Sequence, residues 1–174
     1  AGGLGTRLRS AVPDVPKVLA PVNNQAFLLY LIEFWVNQGI KKFVICTGYK
    51  GDQVKNEVMK SPYKNFVEFS NEVKKLGTGG AILNGLELIK SDYFLVQNGD
   101  TFIPIRLSEI YEVKNFINRT VFMIFIKQQD INRFGLFSLN KNNQVSAATI
   151  NQIMKKFING GIYIFNKKKI EHNF

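Results

Sequence analysis

The stretch Gly2-Gly3-Leu4-Gly5-Thr6-Arg7-Leu8 gathers three glycines, a hydroxyl and a guanidinium in one short loop. Backbone amides without β-carbons beside them can approach a phosphate closely. Thr6 adds a hydroxyl donor, and Arg7 a planar fork that matches phosphate oxygens. Lys17, preceded by Pro16, can fold back as a second cation. The spacing fits neither a P-loop nor a dinucleotide fingerprint.

Three further strings invite chemistry. Gly77-Thr78-Gly79-Gly80-Ala81 opens a helix, and a helix N-terminus presents free amides to an anion or to a base edge. Gln97-Asn98-Gly99-Asp100-Thr101 follows an apolar run read as a strand, the place where open α/β sheets put their ligands. Asp100 there suits Mg²⁺, which takes few carboxylates together with phosphate oxygens. Asn-Gly-Asp is also ordinary turn chemistry. Ile158-Asn159-Gly160-Gly161-Ile162-Tyr163 has paired glycines before a strand, which admit a ligand such as a sugar or simply form a bulge.

Alternating strands and helices must position these strings. Gln25–Gln38 reads as a buried helix stopped by Gly39. Phe43–Cys46 reads as a strand, Asp52–Lys60 as a helix capped by Asp52, and Asn65–Phe69 as a strand. Then come a helix over Thr78–Lys90, a buried strand over Tyr93–Gln97, a helix over Ser108–Ile117 capped by Ser108, and a strand over Val121–Ile126. Asn140–Asn143 reads as the turn of a hairpin between Phe134–Leu139 and Gln144–Thr149, with a last strand at Gly161–Phe165. Strands separated by helices imply βαβ units and a mainly parallel sheet, the hairpin adding an antiparallel part.

The chain has 174 residues, 45% of them hydrophobic, enough for one domain with a real core and incompatible with global disorder. Its longest apolar run, Ala26–Ile32, is far short of a membrane span, so no membrane association is expected. One cysteine, Cys46, excludes an internal disulfide and a cysteine-built zinc site, and a cytoplasmic location follows as the default. The net charge of +10 suggests an anionic partner. Yet the lysine clusters are scattered along the chain, and no aromatic-basic pattern supports nucleic-acid binding. The sequence leaves the oligomeric state open, a homo-oligomer included.

The four strings, in this order, resemble the sugar-1-phosphate nucleotidylyltransferase family. Ala1 to Leu8 with Pro16-Lys17 and Ala20-Pro21 is similar to the family's signature loop, and Arg133-Phe134-Gly135 to its arginine-aromatic-glycine step. Leu76–Ile82 and Ile158–Tyr163 are most similar to the guanylyltransferases that act on heptose and mannose 1-phosphates. The resemblance implies a Rossmann-like three-layer α/β sandwich with a mixed, mainly parallel sheet, in one nucleotidyltransferase domain spanning residues 1–174. It implies transfer of a nucleotidyl group, guanylyl favoured, from a nucleoside triphosphate to a sugar 1-phosphate, with release of pyrophosphate. Gly2, Gly3, Gly5 and Thr6 would hold the triphosphate, and Gly77, Thr78 and Gly79 the base. Gly135, Asn159 and Gly160 would contact the sugar. Arg7, Lys17 and Asp100 would be the catalytic residues, with Asp100 holding Mg²⁺.

Two departures from the family pattern stand out. Where the family carries a Glu-Lys pair, this chain reads Ala147-Ala148-Thr149-Ile150-Asn151-Gln152, without a carboxylate. Either the enzyme works without that pair or the protein is a weakened, nucleotide-sugar-binding relative. The chain also opens directly on its glycine loop and closes at Phe174. It is therefore expected to be a piece of a longer one, lacking a first strand and a second metal-binding aspartate. The lone His172 has no expected role, because a phosphate monoester oxygen is already anionic near neutral pH.

Overall fold

The computed structural model describes residues 15–74, 76–112, 120–127, 137–139, 145–147 and 157–172. The chain falls into two compact units: Ala1–Asp92 with Asn98–Lys114, and Tyr93–Gln97 with Asn115–Phe174.

In the first unit, a 3-10 turn at Lys17–Leu19 leads into a small hairpin of β1 (Pro21–Val22) and β2 (Gln25–Ala26). Helix α1 (Phe27–Val36) follows at once. It starts two residues later than the sequence suggests, because Gln25 and Ala26 are extended and paired with β1. Gly39, at φ +95°, ends it, with Ile40 N–H reaching back to Trp35 O at 3.0 Å. Leu28, Leu29, Leu31, Ile32 and Trp35 are buried on α1.

Strand β3 (Phe43–Thr47), helix α2 (Gly51–Lys60) and strand β4 (Val67–Asn71) form the parallel crossover unit, with register Phe43↔Val67 through Thr47↔Asn71. Lys50, in the left-handed region, precedes α2, and Asp52 lies inside its first turn rather than capping it. Val54 and Val58, one helical turn apart, are fully buried and share one core with Val18, Leu28, Ile32 and Ile45. Burying each such side chain contributes roughly 1.5–3 kcal/mol.

Helix α3 (Gly77–Gly85) continues into a 3-10 turn at Leu86–Leu88 and packs on β3 and β4. Asn84 Nδ2 donates to Ser70 Oγ at 2.8 Å, fixing the helix over the strand. The next strand along the chain, β5 (Tyr93–Gln97), belongs to the second unit, while helix α4 (Leu107–Tyr111) belongs to the first. Arg106 rather than Ser108 caps α4, because Glu109 Oε2 accepts the Arg106 backbone N–H at 2.8 Å. Gln38 ties the end of α1 to this region, its Oε1 accepting from Leu107 N at 2.6 Å.

The second unit is organised on β9 (Phe157–Asn166), which pairs antiparallel with β5 and with β6 (Val121–Lys127). The hairpin of β7 (Phe137–Leu139) and β8 (Val145–Ala147) joins it at Phe137↔Phe157, and the short helix α5 (Lys167–Glu171) follows β9. The sheet material is mixed, as expected. Among the described residues the parallel pair is β3–β4, whose strands have a helix between them, and the pairings around β9 are antiparallel. No helix among the described residues is long and apolar enough to cross a membrane.

Candidate active site

Lys17 is presented by a turn that is fixed at its backbone. Pro16 is extended before it, Leu19 N donates to Pro16 O at 2.8 Å, and Ala20 N donates to Lys17 O at 3.1 Å. The next residue, Val18, is 5% exposed and anchors the turn in the core. Asp100 sits in the exposed turn after β5, where Thr101 N donates to Asn98 O at 3.3 Å. β5 itself is half-buried along its length rather than fully buried.

These two side chains, 83 positions apart, meet. Lys17 Nζ donates to Asp100 Oδ2 at 2.6 Å. Together with Ala20, Val22 and Phe27 they line an open recess of about 170 Å³. Its apolar wall is Ala20, Val22 of the β1–β2 hairpin and Phe27 at the start of α1. The hairpin turns at Asn23 and Asn24, both left-handed at φ +46° and +64°, as a two-residue hairpin turn requires. The Lys17 and Asp100 side chains keep 40% and 38% of their surface in solvent. An ion pair so exposed contributes about 0–1 kcal/mol. Its consequence is therefore placement: one cation and one anion held side by side, both open to a substrate.

The second glycine string opens α3 as expected. Gly77 adopts φ +72°, and Glu72 Oε2 accepts from Leu76 N at 3.1 Å just before it. Gly77, Thr78 and Gly79 are exposed, and the first-turn amides of a helix have no partner within it. They suit an anion or the acceptor edge of a base.

Asn159 and Gly160 lie inside β9, in the second unit. The register against β6 shifts between Met123, opposite Tyr163, and Phe125, opposite Asn159. Gly161, at φ +73°, falls in that irregularity, so the paired glycines form a bulge, one of their two expected readings, and they do so inside β9 rather than before a strand. Asn159 folds onto its own strand, Oδ1 accepting from Gly161 N at 2.8 Å and Nδ2 donating to the Tyr163 hydroxyl. Gly2, Gly3, Gly5, Thr6, Arg7 and Gly135 lie outside the described residues, as do the Arg133-Phe134 step and most of the Ala147–Gln152 stretch.

The donors present bear on a metal. Among the described residues, no three His, Cys, Asp or Glu side chains gather into a cage. Asp100 offers an accessible carboxylate beside a recess, which fits an ion that keeps waters and shares phosphate oxygens, as Mg²⁺ does. It does not fit a dedicated protein-only metal site. Cys46 is no nucleophile here: burial pushes its thiol above the ordinary range, and its Sγ lies 3.3 Å from Ala81 O. Sequence reasoning missed the recess wall, Val22 and Phe27 included; the Asn23-Asn24 pair between two extended dipeptides was the available signal.

Comparison with known proteins places this architecture. The nucleotidyl transferase family matches residues 1–173. The D-glycero-α-D-manno-heptose 1-phosphate guanylyltransferase of Campylobacter jejuni is 36% identical over 170 residues, 95% of this chain and 73% of that protein. The enzyme of the same name from Aneurinibacillus thermoaerophilus is 29% identical over 98% of this chain and 74% of its own length. The crystal structure of HddC from Yersinia pseudotuberculosis, complexed with GMP-PN, superposes with a TM-score of 0.82 at 32% identity, covering 98% of this chain and 76% of that one. The fold is thus the Rossmann-like α/β fold of these enzymes, and the chain belongs to the nucleotidyl transferase family, as its likeness to the sugar-1-phosphate nucleotidylyltransferases implied.

Proposed function

We propose that this chain transfers the guanylyl group of GTP to a heptose or mannose 1-phosphate, releasing pyrophosphate, as one nucleotidyltransferase domain working in the cytoplasm. The observation that carries the reading is the 2.6 Å contact between Lys17 and Asp100. It joins the cation that closes the signature loop motif to the carboxylate of the Asn-Gly-Asp turn, at a recess open to substrate. The heptose 1-phosphate guanylyltransferases among its relatives favour the base and the sugar.

In this reaction a sugar phosphate oxygen attacks the α-phosphorus in line. The bond to the bridging oxygen breaks, and pyrophosphate leaves with the electron pair. Two anions must meet, so the protein's work is positioning and charge neutralisation. The amides of Gly2, Gly3, Gly5 and Thr6 hold the triphosphate, and Arg7 offsets charge on the leaving pyrophosphate. Lys17 offsets charge where the reactants meet. Asp100 would hold the divalent ion, Mg²⁺, which when bound neutralises phosphate charge. Gly77, Thr78 and Gly79 address the base, and family likeness assigns Gly135, Asn159 and Gly160 to the sugar. No general base is required.

The test is pyrophosphate release across four nucleoside triphosphates and several hexose and heptose 1-phosphates, with and without EDTA. Chelator-sensitive release with GTP and a heptose or mannose 1-phosphate is expected. A clear preference for another base, or release unaffected by EDTA, overturns the reading. Tight nucleotide-sugar binding without any release would instead assign the chain to the binding relatives, which the missing Glu-Lys pair between residues 147 and 152 favours.

A further inference from the structure

Resting on that reading, we infer that Lys17 is a built-in occupant of the metal position: its ammonium and the divalent ion compete for Asp100, and metal binding hands Lys17 over to the substrate. Lys17 Nζ lies 2.6 Å from Asp100 Oδ2, a full charge-assisted contact on one carboxylate oxygen. The other oxygen, Oδ1, has Thr101 Oγ1 at 3.4 Å. A magnesium–oxygen bond is about 2.0–2.1 Å. An ion at that distance from Oδ2 would stand against the Lys17 ammonium at near-contact range. The repulsion between dication and ammonium, rather than a shortage of lone pairs, sets the two against each other on one carboxylate.

The surroundings permit the exchange. The backbone of Lys17 is pinned by the Pro16–Ala20 turn bonds and by buried Val18, so its Cα stays in place. Its stem has four rotatable bonds and 40% of its surface free, and it borders the open recess. The Nζ can therefore leave Asp100 without moving the fold. Among the described residues, Lys17 is the cation paired with Asp100 by a salt bridge. Before substrate arrives, the pair keeps Asp100 compensated. When the nucleotide brings the metal, the displaced ammonium is beside the phosphates whose charge it must offset. Metal binding and delivery of Lys17 become one event.

The inference predicts an inverted effect of removing Lys17. Binding of Mn²⁺, a spectroscopic stand-in for Mg²⁺, is measured by electron paramagnetic resonance on the full chain without nucleotide. Lys17→Met should tighten Mn²⁺ by roughly two- to tenfold, the range set by an exposed ion pair and a lost like charge. Lys17→Arg, which keeps a cation, should stay within about twofold of the parent. With a non-hydrolysable GTP analogue present, the order should reverse, Lys17→Met binding the metal-nucleotide more weakly than the parent. Weaker or unchanged Mn²⁺ affinity in nucleotide-free Lys17→Met overturns the competition. Asp100→Asn separates the two layers. Should it leave Mn²⁺ affinity intact, the assignment of the metal to Asp100 fails. Should it abolish binding while Lys17→Met fails to tighten it, only the competition fails.

Discussion

Gly80 stands so close to Leu76 that a β-carbon built on it would lie 2.6 Å from Leu76 Cβ. One residue earlier, Gly79 has open space around it. The two neighbouring glycines therefore answer to different constraints, and substitution can tell them apart. Gly80→Ala forces the entry of α3 to shift, since Leu76 Cβ is bonded to the main chain and cannot swing aside. That should cost about 1–3 kcal/mol. Gly79→Ala adds a better helix former without a clash and should stabilise the fold by about 0.5–1 kcal/mol. If Gly79 amides approach the base, the same alanine should weaken guanine-nucleotide binding despite the higher melting temperature. Thermal melts and nucleotide titration on the two variants check this. A Gly79→Ala protein that is more stable and binds as before would remove α3 from the nucleotide site.

Asp100→Asn should reduce turnover at least a hundredfold while moving the melting temperature little. Asp100 is exposed and its ion pair contributes about 1 kcal/mol at most, so its loss barely touches stability. Losing one electrostatic contact to a phosphoryl transition state is worth roughly 3 kcal/mol, on the order of a hundredfold. Arg7→Ala should fall by a similar factor on the same grounds. Steady-state rates and melts measured side by side decide. Large unfolding with proportionate loss of activity would make Asp100 a structural residue.

How far the sequence foretells the molecule depends on how local each feature is. Helix α1 was legible because its apolar run and Gly39 are local signals, and its true start at Phe27 was not, because Gln25 and Ala26 are claimed by a strand partner. Thr78–Lys90 reads as one helix, yet α3 ends at Gly85, where a β-carbon would lie 3.2 Å from Cys46 Sγ. That close approach to β3 is tertiary and leaves no periodic trace. The start of β9 at Phe157 rather than Gly161 has the same origin: the glycines sit in a register shift against β6. Lys17 and Asp100 were each legible as motif members. Their contact, across 83 positions, was not.

The hairpin that contributes Val22 to the recess wall should be sensitive at Asn24. Its φ of +64° is tolerated by asparagine and by glycine but strained for a β-branched residue. Asn24→Val should destabilise by about 1–2 kcal/mol. For a chain of this size that is a fall of several degrees in melting temperature. Asn24→Gly should stay within about 0.5 kcal/mol of the parent, the relaxed turn offset by a freer unfolded chain. Because Val22 lines the recess, Asn24→Val should also raise the KM for the sugar phosphate. Equal stability of the valine and glycine variants would mean that the turn is not held in this conformation in solution.

Cys46 gives the fold a dependence on alkaline pH. Burial pushes its thiol up, and the Glu72 carboxylate adds to the push. The folded state therefore keeps the thiol proton to a higher pH than the unfolded chain, whose single thiol ionises near pH 8.5. Between those two values the unfolded state binds fewer protons, so stability falls as pH rises. The contribution is fully present below about pH 8.5 and is lost as pH climbs through the folded value. Tyr63 is shifted the same way, first by desolvation and then by the Glu33 carboxylate. The expected result is a melting temperature that is flat from pH 7 to 8 and declines towards pH 10. Cys46→Ala, lower at neutral pH because it leaves a gap beside Gly85, should decline less steeply. In parallel, a thiol reagent at pH 8 should label the native protein slowly and the urea-unfolded protein fast. Parallel decline of both proteins, together with rapid native labelling, would show that Cys46 is open to solvent and that α3 does not lie on β3 as described.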